Sequence, residues 1–565
     1  MHSPKKRILI VGGVAGGASC AARARRLCEH CEIVVFERGP HVSFANCGLP
    51  YFVGDVIPHT ENLLVASRTS FKERFNIDVH TETEVTAIDR QARCITVRDL
   101  KTGASRSEHY DALVLATGAK PLRPPLPGID LPGIFALRTI PDSEKIKAAV
   151  TGARHALVIG GGFIGLEMAE NLVRRGLSVT LLELAEQILP PLDAEMAGIA
   201  AAHLRQHGVE VRTGEGVTQF RRSATGSLIA ETSRGAEITT DLAILGIGVR
   251  PETTLAQQAG LALGALGGIR VDDTQRTSDP AIWAVGDVVE VKHLITGQWQ
   301  LLPLAGPANR QGRVAATAII HHFYADVPDS PSPLRFHGVL GTAICEIFGL
   351  TIAASGASEK LLQRENIPHT AIYLHPGHHA SYFPGAKPIH IKVLFNPETG
   401  RLLGVQAIGE AGAARRVDVI ATALHHGATV YDLEELELCY APQFGAAKDP
   451  INFAGMIAAN HLRGGLPLAD WRALATTSAL CVDVRSPSEY AKDHIPGAIN
   501  LPLEDLRQRL EELPREREIW LVCAAGQRAY YAYRALRQRG FDVKVLSGGM
   551  QTYHAWQRAK TSSTS

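Results

Sequence analysis

The stretch His155-Ala156-Leu157-Val158-Ile159-Gly160-Gly161-Gly162-Phe163-Ile164-Gly165 decides the fold. An apolar run of strand length closes on glycines spaced G-x-G-x-x-G, after which residues 166–175 read as a helix and 178–182 as a second strand. That is a βαβ unit, whose loop turns the start of a helix toward a pyrophosphate. Gly160, Gly162 and Gly165 fill the three glycine positions, and Glu183 stands where an acid meets the hydroxyls of an adenosine ribose. A carboxylate there repels a 2'-phosphate, and residues 184–188 contain no arginine to receive one. NADH is therefore expected, with NADPH as the alternative.

The same grammar occurs earlier. Residues 6–11 read as a buried strand, 12–17 as a tight loop, 18–30 as a helix and 32–36 as the next strand. Gly12, Val14 and Gly17 occupy the glycine positions, so the middle one is substituted, and Glu37 is the acid at the end of the second strand. Two such units suggest two different dinucleotides. Residues 111–118 form an apolar strand closing on Ala116-Thr117-Gly118, and the Pro-rich residues 121–132 read as a domain crossing. Residues 243–248 and 282–287 read as further strands that return to the first domain, the latter ending in Gly286-Asp287.

The Pro- and Ser-rich segment 327–333 is expected to begin a third domain, in which residues 389–395 and 402–408 pair around a turn at 396–400. A second linker, Arg463-Gly464-Gly465-Leu466-Pro467, introduces a final α/β module of about a hundred residues, the size of a domain. The expected division is 1–120 with 246–325 for the first nucleotide, 121–245 for the second, a third domain over 326–462 and the last over 467–560.

A chain of 565 residues is long enough for about three or four domains with large cores. Its 58 basic residues are matched by 57 acidic ones and are dispersed, so the footprint of a nucleic-acid binder is missing. No apolar run reaches membrane-spanning length. Lys5-Lys6-Arg7 and the apolar run after it imitate a signal peptide, but cleavage there would destroy the glycine loop. Nine scattered cysteines argue against a disulfide framework and for a reducing, cytoplasmic setting in which free thiols serve as reagents. Small-molecule chemistry fits best.

Cys47 lies in Ser43-Phe44-Ala45-Asn46-Cys47-Gly48-Leu49-Pro50-Tyr51, close after the first glycine loop and with no cysteine partner nearby. Any disulfide there must form with something external: a small thiol, a sulfur chain or an oxygen atom. Cys28-Glu29-His30-Cys31 has zinc-like spacing, but no second pair follows at finger distance. His375, His378 and His379 lack nearby carboxylates, so no metal is expected. Cys20, Cys94, Cys345, Cys439 and Cys481 sit among apolar residues and are expected to be packing.

With Ala116-Thr117-Gly118 and Val285-Gly286-Asp287 added, residues 6–460 resemble the two-dinucleotide flavin oxidoreductases of the pyridine nucleotide-disulfide class. The resemblance implies FAD at the first loop, held by Gly12, Gly16, Gly17, Glu37, Arg38, Ala116, Thr117, Gly118 and Asp287. Such enzymes keep a redox pair spaced Cys-x-x-x-x-Cys; here the second position is Phe52, and the stretch around Cys47 resembles the single-cysteine coenzyme A-disulfide reductases. In that branch, substrate-side tyrosines come from a partner subunit. His379-Ala380-Ser381-Tyr382-Phe383-Pro384-Gly385 and Cys439-Tyr440-Ala441-Pro442 match its patterns and point to Tyr382, Tyr440 and a homodimer. Phe383 stands where the family often has a second tyrosine, so that hydroxyl's role does not transfer. Coenzyme A binding is implied for Ser19, Arg23, Arg26, Ser43, Asn46, Asn309 and Lys448. Arg23 and Arg26 are one helical turn apart, where two guanidinium forks can face nucleotide phosphates.

The last module resembles a single-domain rhodanese, through Val482-Asp483-Val484-Arg485, His494-Ile495-Pro496-Gly497-Ala498-Ile499-Asn500, Val522-Cys523-Ala524-Ala525-Gly526-Gln527-Arg528 and Leu546-Ser547-Gly548-Gly549. An apolar strand at 519–522 ends on Cys523 and a helix is expected from about Ala529. The loop between them can aim successive backbone N–H groups at one sulfur and hold a persulfide anion, with Arg528 at its end.

The expected whole is an α/β protein with two Rossmann-like dinucleotide-binding domains for FAD and NAD, an α+β dimerisation domain and a C-terminal α/β rhodanese domain. Its expected activity is NADH-driven reduction of persulfides, polysulfides or coenzyme A disulfides at Cys47, with Cys523 relaying sulfane sulfur. The alternatives are an NADH oxidase or peroxidase cycling through a Cys47 sulfenic acid, or a redox-sensing or sulfur-delivery protein.

Overall fold

The computed structural model describes residues 5–224, 226–325 and 332–562; most of the Pro- and Ser-rich segment 327–333 lies outside them. The chain divides into two compact units, Met1–Leu182 with Gly216–Val339, and Glu183–Glu215 with Leu340–Ser565.

In the first unit a five-stranded parallel sheet runs in the order Ile282–Ala284, Ala112–Leu115, Arg7–Val11, Glu32–Phe36, Asp78–His80. Parallel strands are covered on both faces, which is why these segments are almost continuously apolar. One face packs on the helices Ala15–Leu27 and Ala305–Tyr324, with Cys20, Ala24, Ala315 and Ile319 in the core. The other face packs beside an antiparallel sheet of Thr83–Asp89, Cys94–Asp99 and Ser105–His109. The first helix starts three residues before the expected Ala18 and ends at Leu27 rather than near residue 30. The two helices approach closely at glycines: a Cβ on Gly312 of the second helix would lie 2.4 Å from the Gly16 carbonyl oxygen.

The second glycine loop follows His155–Ile159, which pairs in parallel with Ser178–Glu183 on one side and Leu242–Leu245 on the other; Leu242–Leu245 in turn pairs with Ile134–Ala136.

In the second unit Ala343–Ile347, Leu350–Gly356, Leu402–Gly409, Ile389–Phe395 and Thr370–Leu374 form an antiparallel sheet in that order. The expected pairing of residues 389–395 with 402–408 is present. The turn between them is fastened by Asn396, whose side-chain oxygen accepts from the Glu398 and Thr399 N–H groups.

The last module is a parallel sheet in the order Leu468–Ala469, Val543–Leu546, Ile519–Val522, Leu480–Asp483, Ile499–Asn500. It is seated on the edge strand Thr370–Leu374. The Tyr373 N–H donates to Ser547 Oγ at 2.9 Å, Trp471 donates to the Ser547 carbonyl, and half-buried His375 touches both His390 Nδ1 and Thr552 Oγ1 at 2.8 Å. Burial holds both imidazoles well below their ordinary range, so the pair stays neutral and shares one N–H.

Beneath this seat the Lys392 ammonium is fully buried among Asp193, Glu195 and Glu359, at 2.9, 2.5 and 2.6 Å. The three carboxylates approach one another closely enough to hold a metal ion, but the ammonium already occupies the space between them and pairs with all three. Glu359 also receives Arg472 of the last module at 2.6 Å.

Candidate active site

The first glycine loop is shaped by close approach. Gly12 has φ +98, and a Cβ there would lie 2.2 Å from the Ala116 oxygen; one on Gly17 would lie 1.9 Å from the Gly12 oxygen. Val14, before the helix, offers no side-chain cap, so the first helical N–H groups remain available to a pyrophosphate. Glu37 is held in place by the Gly13 and Gly39 N–H groups at 2.9 and 2.8 Å. Thr117 donates to the Glu252 carbonyl, and Arg138 donates to the Thr117 carbonyl at 3.0 Å. Asp287, on the strand-to-helix return, has its carboxyl pushed up by burial, with Arg138 opposing. Arg38 is more exposed, 3.9 Å from Glu84. A cradle with uncapped N–H groups, an anchored acid and no room for side chains fits FAD.

The second loop repeats the arrangement. Gly160 has φ +103, a Cβ on Gly165 would lie 1.9 Å from the Gly160 oxygen, and the helix Phe163–Arg174 begins at Gly162 without a side-chain cap. Glu183 ends the adjoining strand and accepts from the Ala185 N–H at 2.8 Å.

The redox stretch is tied to the first loop by the Ser43 N–H, which donates to the Gly13 carbonyl at 2.8 Å, and Ser43 itself is left-handed at φ 50. Asn46–Gly48 then forms a tight helical turn that presents Cys47 at the surface. Its sulfur is nonetheless partly desolvated. Burial raises the thiol above its ordinary range, with the negative charges of Glu167 and Asp287 adding to the rise. Phe52 is buried where a second redox cysteine would stand.

Sequence reasoning missed Glu167. It lies on the helix that follows the second glycine loop, between buried Leu166 and Met168, and accepts from the Tyr51 hydroxyl at 3.5 Å. Burial pushes its carboxyl up to about 7. A charged residue within an apolar helical run was the available signal.

Of the residues expected to meet coenzyme A, Ser19 and Asn309 hydrogen-bond to each other across the two packed helices. Arg23 and Arg26 are joined by Arg313, which the sequence did not single out; burial and the two neighbouring cations lower Arg23. Three guanidinium groups gathered in this way suit a polyphosphate. Asn46 reaches the Arg138 carbonyl at 3.5 Å.

In the second unit Tyr382 and Tyr440 are exposed and their hydroxyls meet at 2.6 Å. Their loops are pinned by the Ala380 N–H to the Gly445 carbonyl, and by buried Arg416 between Asp449 and the His378 carbonyl. Lys448 is exposed beside Asp449. Cys439, expected to be packing, is exposed instead because it belongs to this tyrosine-bearing loop, and Cys94 is half-buried at the start of a strand. Cys28 and Cys31, weighed in the sequence only as a zinc-like spacing, form a disulfide across the turn between helix and strand.

At the far end of the chain Cys523 is buried, 1% exposed, with the Gly526 N–H donating to its sulfur at 3.1 Å. Gly526 has φ +101, and the helix begins at Gln527, two residues earlier than expected. The Met550 and Gln551 N–H groups donate to the Cys523 and Ala524 carbonyls, which fastens the loop to the start of the last helix. Arg528 makes a bidentate pair with Glu489 at 2.8 and 2.7 Å, and this pair holds Glu489 down at about 2.

A model of the pyridine nucleotide-disulphide oxidoreductases matches residues 6–312, that of their dimerisation domain residues 342–449, and that of the rhodanese-like domain residues 470–556. The crystal structure of reduced CoADR-RHD from Bacillus anthracis is 44% identical, covers 98% of each chain and superposes with a TM-score of 0.93. An NAD-dependent persulfide reductase from A. fulgidus is 35% identical over 97% of this chain and 100% of its own, with a TM-score of 0.89. A coenzyme A disulfide reductase of Staphylococcus haemolyticus is 33% identical over 452 residues, 80% of this chain and 98% of the relative.

Proposed function

The chain belongs to the pyridine nucleotide-disulphide oxidoreductases, and from that footing we propose that it reduces coenzyme A disulfides and persulfides with NADH at Cys47. The first loop would hold FAD, which would supply two-electron storage between NADH and the sulfur. The observation that carries the reading is the placement of Cys47: exposed, tethered to the first glycine loop through Ser43, and with buried Phe52 in place of a second thiol. Its disulfide partner must therefore arrive from outside. The Cys47 thiolate attacks the substrate's S–S bond, forms a mixed disulfide and expels the other half as a thiolate, which takes a proton. Two electrons then cleave the mixed disulfide to free the second thiol. For a persulfide the products are a thiol and hydrogen sulfide.

Glu167, with a proton affinity near neutrality, is suited to hold or return a proton beside Cys47. Ser19, Arg23, Arg26, Ser43, Asn46, Asn309 and Lys448 would bind coenzyme A, and Tyr382 and Tyr440 would serve the leaving sulfur from a second copy of the chain. The dimerisation-domain match supports that homodimer. Glu183 favours NADH over NADPH. The buried Cys523, met by the Gly526 N–H, would receive sulfane sulfur and pass it to a thiol carrier. Among the described residues no helix is long and apolar enough to cross a membrane, and free reactive thiols suit the cytoplasm.

The test is Cys47→Ser. Sulfide and thiol release driven by NADH should be lost while the flavin absorbance is kept; undiminished turnover overturns the reading.

A further inference from the structure

We propose that Cys28 and Cys31 are a second redox site, a dithiol that a small-molecule persulfide closes reversibly to the disulfide. The pair stands outside the machinery described above. Cys28 caps the end of the helix Ala15–Leu27 and Cys31 immediately precedes the strand Glu32–Phe36. Cys28 is half-buried and Cys31 only 2% exposed. The more exposed residue, Cys28, is placed to meet the reagent first, and the buried Cys31 to resolve.

Three contacts make the pair serviceable. The Cys31 N–H donates to Cys28 Sγ at 3.1 Å, a bond that strengthens once that sulfur is a thiolate. The Tyr324 hydroxyl lies 3.9 Å from Cys28 Sγ and 3.7 Å from Cys31 Sγ, so one hydroxyl serves both sulfurs. Buried Arg25 donates to the carbonyls of Cys28, Glu29, Phe75 and Asn76, at 3.0, 2.6, 2.8 and 2.9 Å. The turn is thus anchored without the S–S bond, so opening that bond leaves it in place.

The position also sets the pair's character. A helix C-terminus disfavours a thiolate, whereas the fast disulfide-exchange thiols sit at helix N-termini. Cys28 is therefore a slow thiol toward any S–S bond, and its bridge, once formed, has a poor leaving thiol. That suits a switch which registers sulfane sulfur better than a site turning over with each cycle. Arg26, a coenzyme A candidate, is two residues before Cys28 on the same helix.

The step balances. The Cys28 thiolate takes the outer sulfur of RSSH and releases RSH; the Cys31 thiol then attacks Cys28 sulfur, expels hydrogen sulfide and forms the disulfide. RSSH and two protein thiols give RSH, H2S and one disulfide, with the persulfide reduced and the thiols oxidised. A dithiol reverses it, leaving as its cyclic disulfide. The identity of the oxidant rests on the proposed function; the pair itself does not.

The experiment uses the full-length holoprotein carrying Cys47→Ser and Cys523→Ser, reduced with dithiothreitol, desalted without oxygen and given one equivalent of glutathione persulfide. Sulfide is assayed, and the peptide holding Cys28 and Cys31 is read by mass spectrometry after alkylation. The expected result is one sulfide per chain and loss of both alkyl adducts, with neither change after Cys28→Ser and Cys31→Ser. The peptide measurement is repeated on the unsubstituted protein, so a folding defect cannot decide the outcome. The proposal is overturned if both thiols stay alkylatable, if dithiothreitol does not open the bridge, or if oxidised glutathione closes it equally fast. NADH-driven turnover of the unsubstituted protein is followed in parallel: an inert pair with normal turnover sinks only the switch, and a responsive pair without turnover sinks only the proposed function.

Discussion

The Tyr382 and Tyr440 hydroxyls lie 2.6 Å apart although 58 residues separate them in sequence. The bond to Tyr440 raises the Tyr382 phenol above its ordinary range, so the pair holds its shared proton firmly until a stronger base arrives. A departing thiolate is a weaker base than this phenolate, so the pair, if presented to it, would steady the leaving sulfur as a hydrogen-bond donor. Tyr382→Phe and Tyr440→Phe should each lower kcat by roughly 10²-fold or more, in the range of a lost hydrogen-bond donor to a developing anion. Because the two hydroxyls act as one unit, the double variant should lose little more than either single one. Steady-state kinetics with a coenzyme A disulfide read this directly; fully additive losses would show that the tyrosines act independently.

Glu167 gives the proposed reaction its expected pH dependence. Burial raises its carboxyl to about 7, above the ordinary carboxylate value near 4.5. If its protonated form supplies the proton, kcat/KM should fall as pH rises through about 7, and Glu167→Gln should remove that limb. The stability sign follows from the same shift. A raised carboxyl favours the folded state at low pH, and the advantage is lost between about 4.5 and 7 as the buried group is forced to ionise. Glu167→Gln should therefore raise Tm at pH 8 and leave it nearly unchanged at pH 4.

Cys523→Ser should separate substrates rather than abolish activity. Turnover of bulky persulfides and polysulfides should drop while that of coenzyme A disulfide persists. Gly526→Ala probes the same loop, since φ +101 is strained for any residue with a Cβ and the Gly526 N–H is the donor to the sulfur. Its sulfurtransferase rate with thiosulfate should fall alongside that of Cys523→Ser; equal rates for all substrates would make the module idle in this reaction.

Lys392→Met should be strongly destabilising. Removing the ammonium leaves Asp193 and Glu195 buried without the cation that pairs them, while Glu359 keeps Arg472, a change that typically costs about 3–5 kcal/mol. Chemical denaturation should show that loss, and acid should rescue part of it, because protonating the carboxylates removes their repulsion. Glu359 lies well below the ordinary carboxylate range in the intact protein, so the unsubstituted chain should show no such rescue at mild acidity.

Oxygen is the competing electron acceptor, and NADH consumption under nitrogen distinguishes it. Persulfide-dependent oxidation of NADH should continue without oxygen; dependence on oxygen alone would favour the sulfenic acid cycle.

Much of the fold was legible because parallel strands buried on both faces must be written in unbroken apolar runs, as in residues 7–11, 155–159 and 519–522. Helix starts were less legible. The first turn of the Ala15–Leu27 helix holds Gly16 and Gly17, poor helix formers that no propensity argument would include; Gly16 lies against Val285 and Ala308, distant in sequence, and Gly17 against the Gly12 carbonyl. Cys439 sat among apolar letters yet is exposed, since local composition does not report which side of a loop faces water.

What the sequence determined by itself was the order of modules, the two glycine loops and a Cys47 without a second thiol at the expected spacing. Those are properties of neighbours along the chain, where steric need dictates residue type directly. Only the tertiary structure decided that Cys28 and Cys31 close on each other, that Glu167 holds its proton near neutrality, that Tyr382 meets Tyr440 and that Lys392 fills an acidic cage. Each of these depends on desolvation and on distances of a few ångströms between segments far apart in the chain, and burial and proximity of that kind are set by packing.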